Sequence, residues 1–193
     1  LNSIVYYNLC REGANYYAAA LTNSCTSPNP GGIGNFTNQP NIASISNPRL
    51  VEESVCRNAG QNSHVSWAAD CDGEPRTNGA NVDVGMDEYW ASGITGSLTA
   101  AIIVEFTNAA AGYPLEFRTE IGGRPQGYVW IFGDGGSEAN NCMVNHAFPT
   151  AGVYTVVLNV SNYTESAAAT ATVYVAGSAA HYVALDGGHV SPF

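Results

Sequence analysis

Trp130-Ile131-Phe132-Gly133-Asp134-Gly135 and, further along, Gly152-Val153-Tyr154-Thr155-Val156-Val157-Leu158-Asn159-Val160 decide the fold. The second stretch alternates. Tyr154, Val156, Leu158 and Val160 share one face; Val153, Thr155, Val157 and Asn159 share the other. A period of two with one apolar and one wetter face marks a half-buried antiparallel strand. The first stretch reads as a strand that closes in a Gly-Asp-Gly-Gly turn. Working outward, Ile102 to Phe106, Leu115 to Ile121 and Tyr128 to Phe132 are expected as earlier strands. A final strand runs from Ala169 to Val175, with Ala169, Ala171, Val173 and Val175 opposite Thr170, Thr172 and Tyr174. Strands at this spacing between turn signals predict an all-β sandwich.

The Trp-x-Phe-Gly-Asp-Gly at 130–135 and the Gly-x-Tyr-x-Val-x-Leu-x-Val at 152–160 resemble those of the PKD domain. That family is an immunoglobulin-like β-sandwich of surface and secreted proteins, and the resemblance covers residues 97–177. It implies joining, spacing or binding, and no catalysis. It also implies a structural, hydrogen-bonding His146 ahead of the aromatic Phe148. Trp130 and Phe132, on alternate positions of one strand, are expected in the core, not as a sugar-stacking platform. Tyr154 fits the tyrosine corner of immunoglobulin sandwiches. Asp134, between glycines, is expected to make an Asx-type turn, with a cation ligand as the alternative.

The 193 residues suffice for one or two small domains. Charged residues make up 11% of the chain, against roughly 25% in ordinary soluble domains, so Asn, Ser, Thr and Gly carry its polarity. All six basic residues are Arg, and the net charge is -10. Without a basic stripe, nucleic acid and anionic membranes are excluded as expected partners. No apolar run approaches the roughly 20 residues of a membrane span, and no signal peptide is visible. A chain that opens on Leu1 reads as a processed, engineered or excised piece.

Residues 1–90 do not read as a sandwich. Ile4-Val5-Tyr6-Tyr7 is a short strand, and an Asn-, Pro- and Gly-rich stretch follows from Asn23 to Pro48. Pro48-Arg49-Leu50, Ser54-Val55-Cys56, Asn58-Ala59-Gly60, Asp70-Cys71-Asp72-Gly73-Glu74-Pro75-Arg76 and Val82-Asp83-Val84-Gly85-Met86-Asp87-Glu88-Tyr89 come next. In order and spacing this series resembles the C-terminal end of secreted bacterial right-handed parallel β-helix proteins. Val55 departs from that pattern, where the family has Pro, and so does Met86-Asp87-Glu88-Tyr89. Residues 91–96 read as a linker. The tail, 178–193, contains Tyr182-Val183-Ala184-Leu185 and ends Val190-Ser191-Pro192-Phe193, which resembles the opening strand of the same β-helix family. The expected fold class is therefore all-β: a terminal β-helix coil and cap, a PKD-like sandwich and a terminal strand extension.

A solenoid coil buries its apolar face only against neighbouring coils, and open edges invite strand addition. Two readings follow. In one, Tyr182, Val183, Ala184 and Leu185 of one copy pair with Ile4, Val5, Tyr6 and Tyr7 of the next, giving a head-to-tail filament. In the other, the chain is part of a longer protein whose missing coils lie in cis. Either way the function expected is that of an extracellular or cell-surface structural or adhesive module, with copies of itself, neighbouring repeats or surface glycans as partners. The alternative is a carbohydrate-binding accessory module of a secreted polysaccharide-degrading enzyme. That alternative predicts exposed aromatics on a sandwich face or in the Gly31 to Phe36 loop.

No catalytic constellation and no cofactor are expected. Asp70-x-Asp72-Gly73 opens like a calcium loop but lacks the closing bidentate acid, so Asp70 and Asp72 are expected in a structural turn. Five cysteines without a Cys-x-x-Cys pair argue against zinc and suit an oxidising compartment. Of three pairings among the four in residues 1–90, proximity in sequence favours Cys10 with Cys25 and Cys56 with Cys71. Cys142 is left over. Asn35, Asn159 and Asn162 head N-glycosylation sequons; Asn35 and Asn162, in expected loops, are the better acceptors.

Overall fold

The computed structural model of the chain describes residues 1–8, 15, 16 and 20–177. Cys10 and the segment Tyr182–Leu185 lie outside the described residues. Residues 1–90 carry little regular pairing. Two short strands, β1 (Ile4–Val5) and β2 (Cys25–Thr26), run parallel in register Ile4 to Cys25, and Phe36 forms a further parallel bridge to Cys25. β1 is shorter than expected. Tyr7 takes φ 60, a left-handed conformation that turns Tyr6 and Tyr7 out of the extended run. Asn2, Asn23, Asn41 and Asn58 also sit at positive φ. Asparagine tolerates that region better than other side chains, which gives the Asn-rich composition a role in chain direction.

Carboxylates replace the missing ladders. Asp70 accepts from the backbone N–H groups of Asp72, Glu74 and Glu88, and Asp83 from those of Asn58 and Tyr89. Asp87 accepts from Leu50 N–H, and the fully buried Glu88 from Asn78 and Asp83 N–H. Arg76 donates to the carbonyls of Asp83 and Gly85. The segment 70–89 is thereby wired as a stack of side-chain-capped turns.

From Thr99 the chain is a sandwich. Its strands are β3 (Thr99–Val104), β4 (Asn108–Ala110), β5 (Pro114–Gly122), β6 (Gly127–Ile131), β7 (Ser137–Ala139), β8 (Met143–Ala147), β9 (Gly152–Ser161) and β10 (Ser166–Ala176). One sheet has the order β4-β10-β9-β6-β7 and the other β3-β5-β8. All neighbours are antiparallel except β10 and β4. The alternation foreseen for β9 holds, with Val156, Leu158 and Val160 buried and Val153, Thr155 and Asn159 exposed. Trp130 and Phe132 are core residues, grouped with Phe117 at ring-centroid distances of 6.2 and 5.8 Å. The short β4, β7 and β8 had no counterpart in the sequence reading.

The two halves share one seam. Tyr128 Oη donates to Ile42 O at 2.6 Å and Thr119 Oγ1 to Ala43 O at 2.7 Å. Asn47 Nδ2 donates to Ile121 O and Gly123 O. Glu52 N–H donates to Gln126 O at 2.9 Å, and Arg124 pairs with Glu74 at 2.7 Å and with Asp72 at 3.3 Å. Ile94, within residues 91–96, is buried, so this stretch packs along the seam.

Candidate functional site

β1 pairs with β2 on one edge, and among the described residues no strand covers its other edge. A groove of about 690 Å³ lies beside it, lined among others by Ile4, Tyr6, Trp67 and Met86. Trp67 is 78% exposed, and Leu1, Ile45 and Met86 on the same groove are also exposed. His64 and Arg76 line it too, and Nδ1 of the former and Nη1 of the latter are buried without a partner. An unpaired strand edge and apolar side chains left in water together describe a surface suited to an extended peptide.

A smaller hollow of about 430 Å³ lies on the sandwich, where the exposed Phe106 and Tyr113 flank Glu105, Glu116 and Arg118. The loop from Gly31 to Phe36 exposes Ile33 but no large aromatic, because Phe36 is half-buried through its bridge to Cys25.

The candidate cation ligands are engaged elsewhere. Asp70 spends its oxygens on backbone N–H groups. Asp72 takes two nitrogens of Arg49, the closer at 2.6 Å, and Arg124. The Arg49 guanidinium holds the Asp72 carboxyl below the usual carboxylate range, against the opposing effect of burial. Asp134 accepts from Gly136 N–H at 2.9 Å and bonds His146 Nε2 at 2.8 Å, while His146 stacks on Phe132 at 3.8 Å. Burial acts to raise the Asp134 pKa, but these hydrogen bonds outweigh it and hold the group low. Cys71, Asp72 and Asp87 bring their ligand atoms within 4.8 Å of one another. Two arginines already neutralise Asp72, so the trio is a poor seat for a cation. Burial pushes Asp87 up to about 6. Tyr154 Oη donates to Thr150 O at 2.9 Å, a tyrosine-corner bond.

Two expectations change. Cys56 and Cys71 are not bonded to each other. Cys56 turns into the core against Cys25, whereas Cys71 is exposed and donates to Asp87 at 3.6 Å. Sequence proximity misled here because Cys71 sits exposed in its turn while Cys56 is buried in the core cluster with Cys25. Cys142 is a buried thiol lying against the Tyr7 phenol. The order of the sequons reverses as well. Asn35 ties Leu21 O, Gly31 O and Ser24 N–H together, and Asn162, 9% exposed, bonds Gly96 O, Arg124 O and the turn at Thr164 and Glu165. Asn159 is exposed on β9.

Two facing sheets, an aromatic centre and a tyrosine corner define an immunoglobulin-like β-sandwich. Residues 99–177 match the family model of the PKD domain, and this stretch is a PKD domain. Similar structures include one described as carbohydrate-binding modules of the β-sandwich superfamily (22% identity over 43% of this chain and 36% of that one, TM-score 0.40). The chain thus spans little more than a third of that structure. The PKD1 domain of the Vibrio cholerae metalloprotease PrtV is similar at 19% identity (41% of this chain, 96% of that one, TM-score 0.36). The PKD domain of the human VPS10 domain-containing receptor SorCS2 is similar at 18% identity (54% and 94%, TM-score 0.35). No curated protein matches the chain. Among the described residues no helix is long and apolar enough to cross a membrane.

Proposed function

We propose that the protein is an extracellular structural or adhesive module, without catalytic activity or bound cofactor, that joins copies of itself or neighbouring repeats of a longer chain. In this reading residues 1–90 are the last coil and cap of a right-handed parallel β-helix. The segment Tyr182–Leu185 of one unit adds as a strand beside β1 of the next. The observation that carries the proposal is the one-sided pairing of β1 next to an exposed apolar groove. Backbone hydrogen bonds supply register, and burial of Trp67, Met86 and Ile45 supplies affinity. Such a contact is heterologous and propagates into an open filament. The test is electron microscopy and light scattering of the full chain beside a variant ending at Gly177. Filaments or oligomers that vanish with the truncation support strand addition. Assembly that survives it removes the mechanism.

The exposed Phe106 and Tyr113 favour a second reading, a glycan-binding accessory module, because aromatic faces flanking polar groups suit sugar rings. A glycan array separates the two. Binding abolished by Phe106→Ala and Tyr113→Ala, in a chain that stays monomeric, selects this second reading.

A further inference from the structure

Cys25 and Cys56 are both fully buried free thiols, neighbours in one apolar core with their side chains in hydrogen-bonding contact. Cys25 lies on β2 opposite Ile4, and its thiol also donates to Asn38 O at 3.1 Å. Cys56 is tied to the same region through its backbone: its carbonyl accepts from Val84 N–H at 2.8 Å, and Gly85 N–H, next to Val84, donates to Asn2 O at 3.0 Å. The backbone bonds at Val84 and Gly85 thus fix the segment of Cys56 against the strand that carries Ile4, and through it against Cys25. The other two described thiols are placed differently, Cys71 beside Asp87 and Cys142 beside Tyr7.

We propose that Cys25 and Cys56 are joined by a disulfide in the mature protein, closing the loop that carries Ile42, Ala43 and Asn47 onto the sandwich. Two thiols give up two protons and two electrons, and one S–S bond forms. The acceptor is a protein disulfide of the thiol–disulfide oxidoreductase class, itself reduced to a dithiol. The supply of that oxidant rests on the extracellular reading above; the juxtaposition of the two sulfurs does not. Exchange requires a thiolate and access for the attacking disulfide. Both are suppressed in the finished core, where the hydrogen bond with the Cys25 thiol and then burial hold Cys56 protonated. The bond therefore forms while the chain folds.

The Lys-free sequence makes the test direct. Cleavage after arginine, with the Arg124–Pro125 bond spared, places Cys10 in residues 1–11, Cys25 in 12–49, Cys56 in 50–57, Cys71 in 58–76 and Cys142 in 119–193, one cysteine per peptide. The full chain is refolded in a buffer of reduced and oxidised glutathione, remaining thiols are alkylated at low pH in denaturant, and the digest is weighed without reduction. The expected product is 12–49 joined to 50–57, two hydrogens lighter than the sum of the two, with 58–76 recovered alkylated. Recovery of 12–49 joined to 1–11, of 50–57 joined to 58–76, or of both 12–49 and 50–57 as alkylated thiols overturns the proposal. Refolding in vitro is independent of compartment. The same linkage formed in the tube, with only alkylated thiols in protein taken from its native source, would overturn the extracellular reading and the bond in the mature protein. It would leave the juxtaposition standing.

Discussion

At the scale of the residue, the N-terminal half is held by carboxylates that accept backbone hydrogen bonds, and these set an unusual pH response. Asp87 has a folded pKa of about 6 against an ordinary 3.8, because burial disfavours its charge more than Leu50 N–H favours it. Well below pH 3.8 it is protonated folded and unfolded alike, and its contribution is at its most favourable. As pH rises through 6 the folded state must ionise a group it holds protonated, and stability falls by about 3 kcal/mol over that interval. Burial raises Asp83 and Glu88 too, so they act with the same sign. Asp134 acts oppositely: its stabilisation is present above the ordinary carboxylate pKa and is lost as pH falls through its depressed one. Asp87→Asn keeps an acceptor for Leu50 N–H without a charge. Urea titrations from pH 4 to 7 should show a shallower decline for this variant and greater stability than the parent at pH 7. A slope equal to the parent's would mean that Asp87 ionises freely in the fold. At the seam, Tyr128→Phe leaves Ile42 O buried without its donor and should cost about 1–3 kcal/mol, read as a lower urea midpoint at unchanged slope.

At the scale of the element, the long strands were legible because each buries one face. β5, β6, β9 and β10 each alternate a more buried face with a more exposed one, and that pattern is written directly in the order of side chains. Leu158→Ala should therefore cost about 2–5 kcal/mol in thermal or denaturant unfolding, as large-to-small changes in a filled core do. β4 and β7, of three residues each, and β8 left no such signal. They are set by partners, Asn108 to Ala110 by β10 and Ser137 to Ala139 by β6, and partners are invisible in a single chain. The cysteines follow the same rule: nearness of Cys56 to Cys71 in sequence says nothing of the wall each faces. The open edge of β1 was legible only as a strand without neighbours, while Trp67, the most exposed large apolar side chain on its groove, carried no signal because a lone Trp in a loop has no period. Trp67→Ala should leave the melting temperature unchanged and weaken association of the full chain several-fold in sedimentation. A shifted melting temperature would instead make the indole part of the core.

At the scale of the molecule, one hydrophobic core runs from Cys25 and Ile42 through Tyr128 to Val173, with polar bonds sewn across it. Calorimetry should show a single cooperative transition, and two resolved peaks would mean that the halves melt apart. The proposed disulfide between Cys25 and Cys56 would stabilise by about 3–4 kcal/mol in the chain-entropy model, so reduction of the oxidised protein should lower the urea midpoint while keeping one transition. The bonds from Tyr128, Thr119, Asn47 and Arg124 to the N-terminal half also have a mechanical meaning. With the halves locked, the shortest segment able to flex is the whole unit. In a string of such units, bending and torsion would concentrate at the joints, where a few backbone hydrogen bonds and one indole stand between neighbours. The stiffness of the strand could then be tuned at the groove without disturbing the fold of a single link.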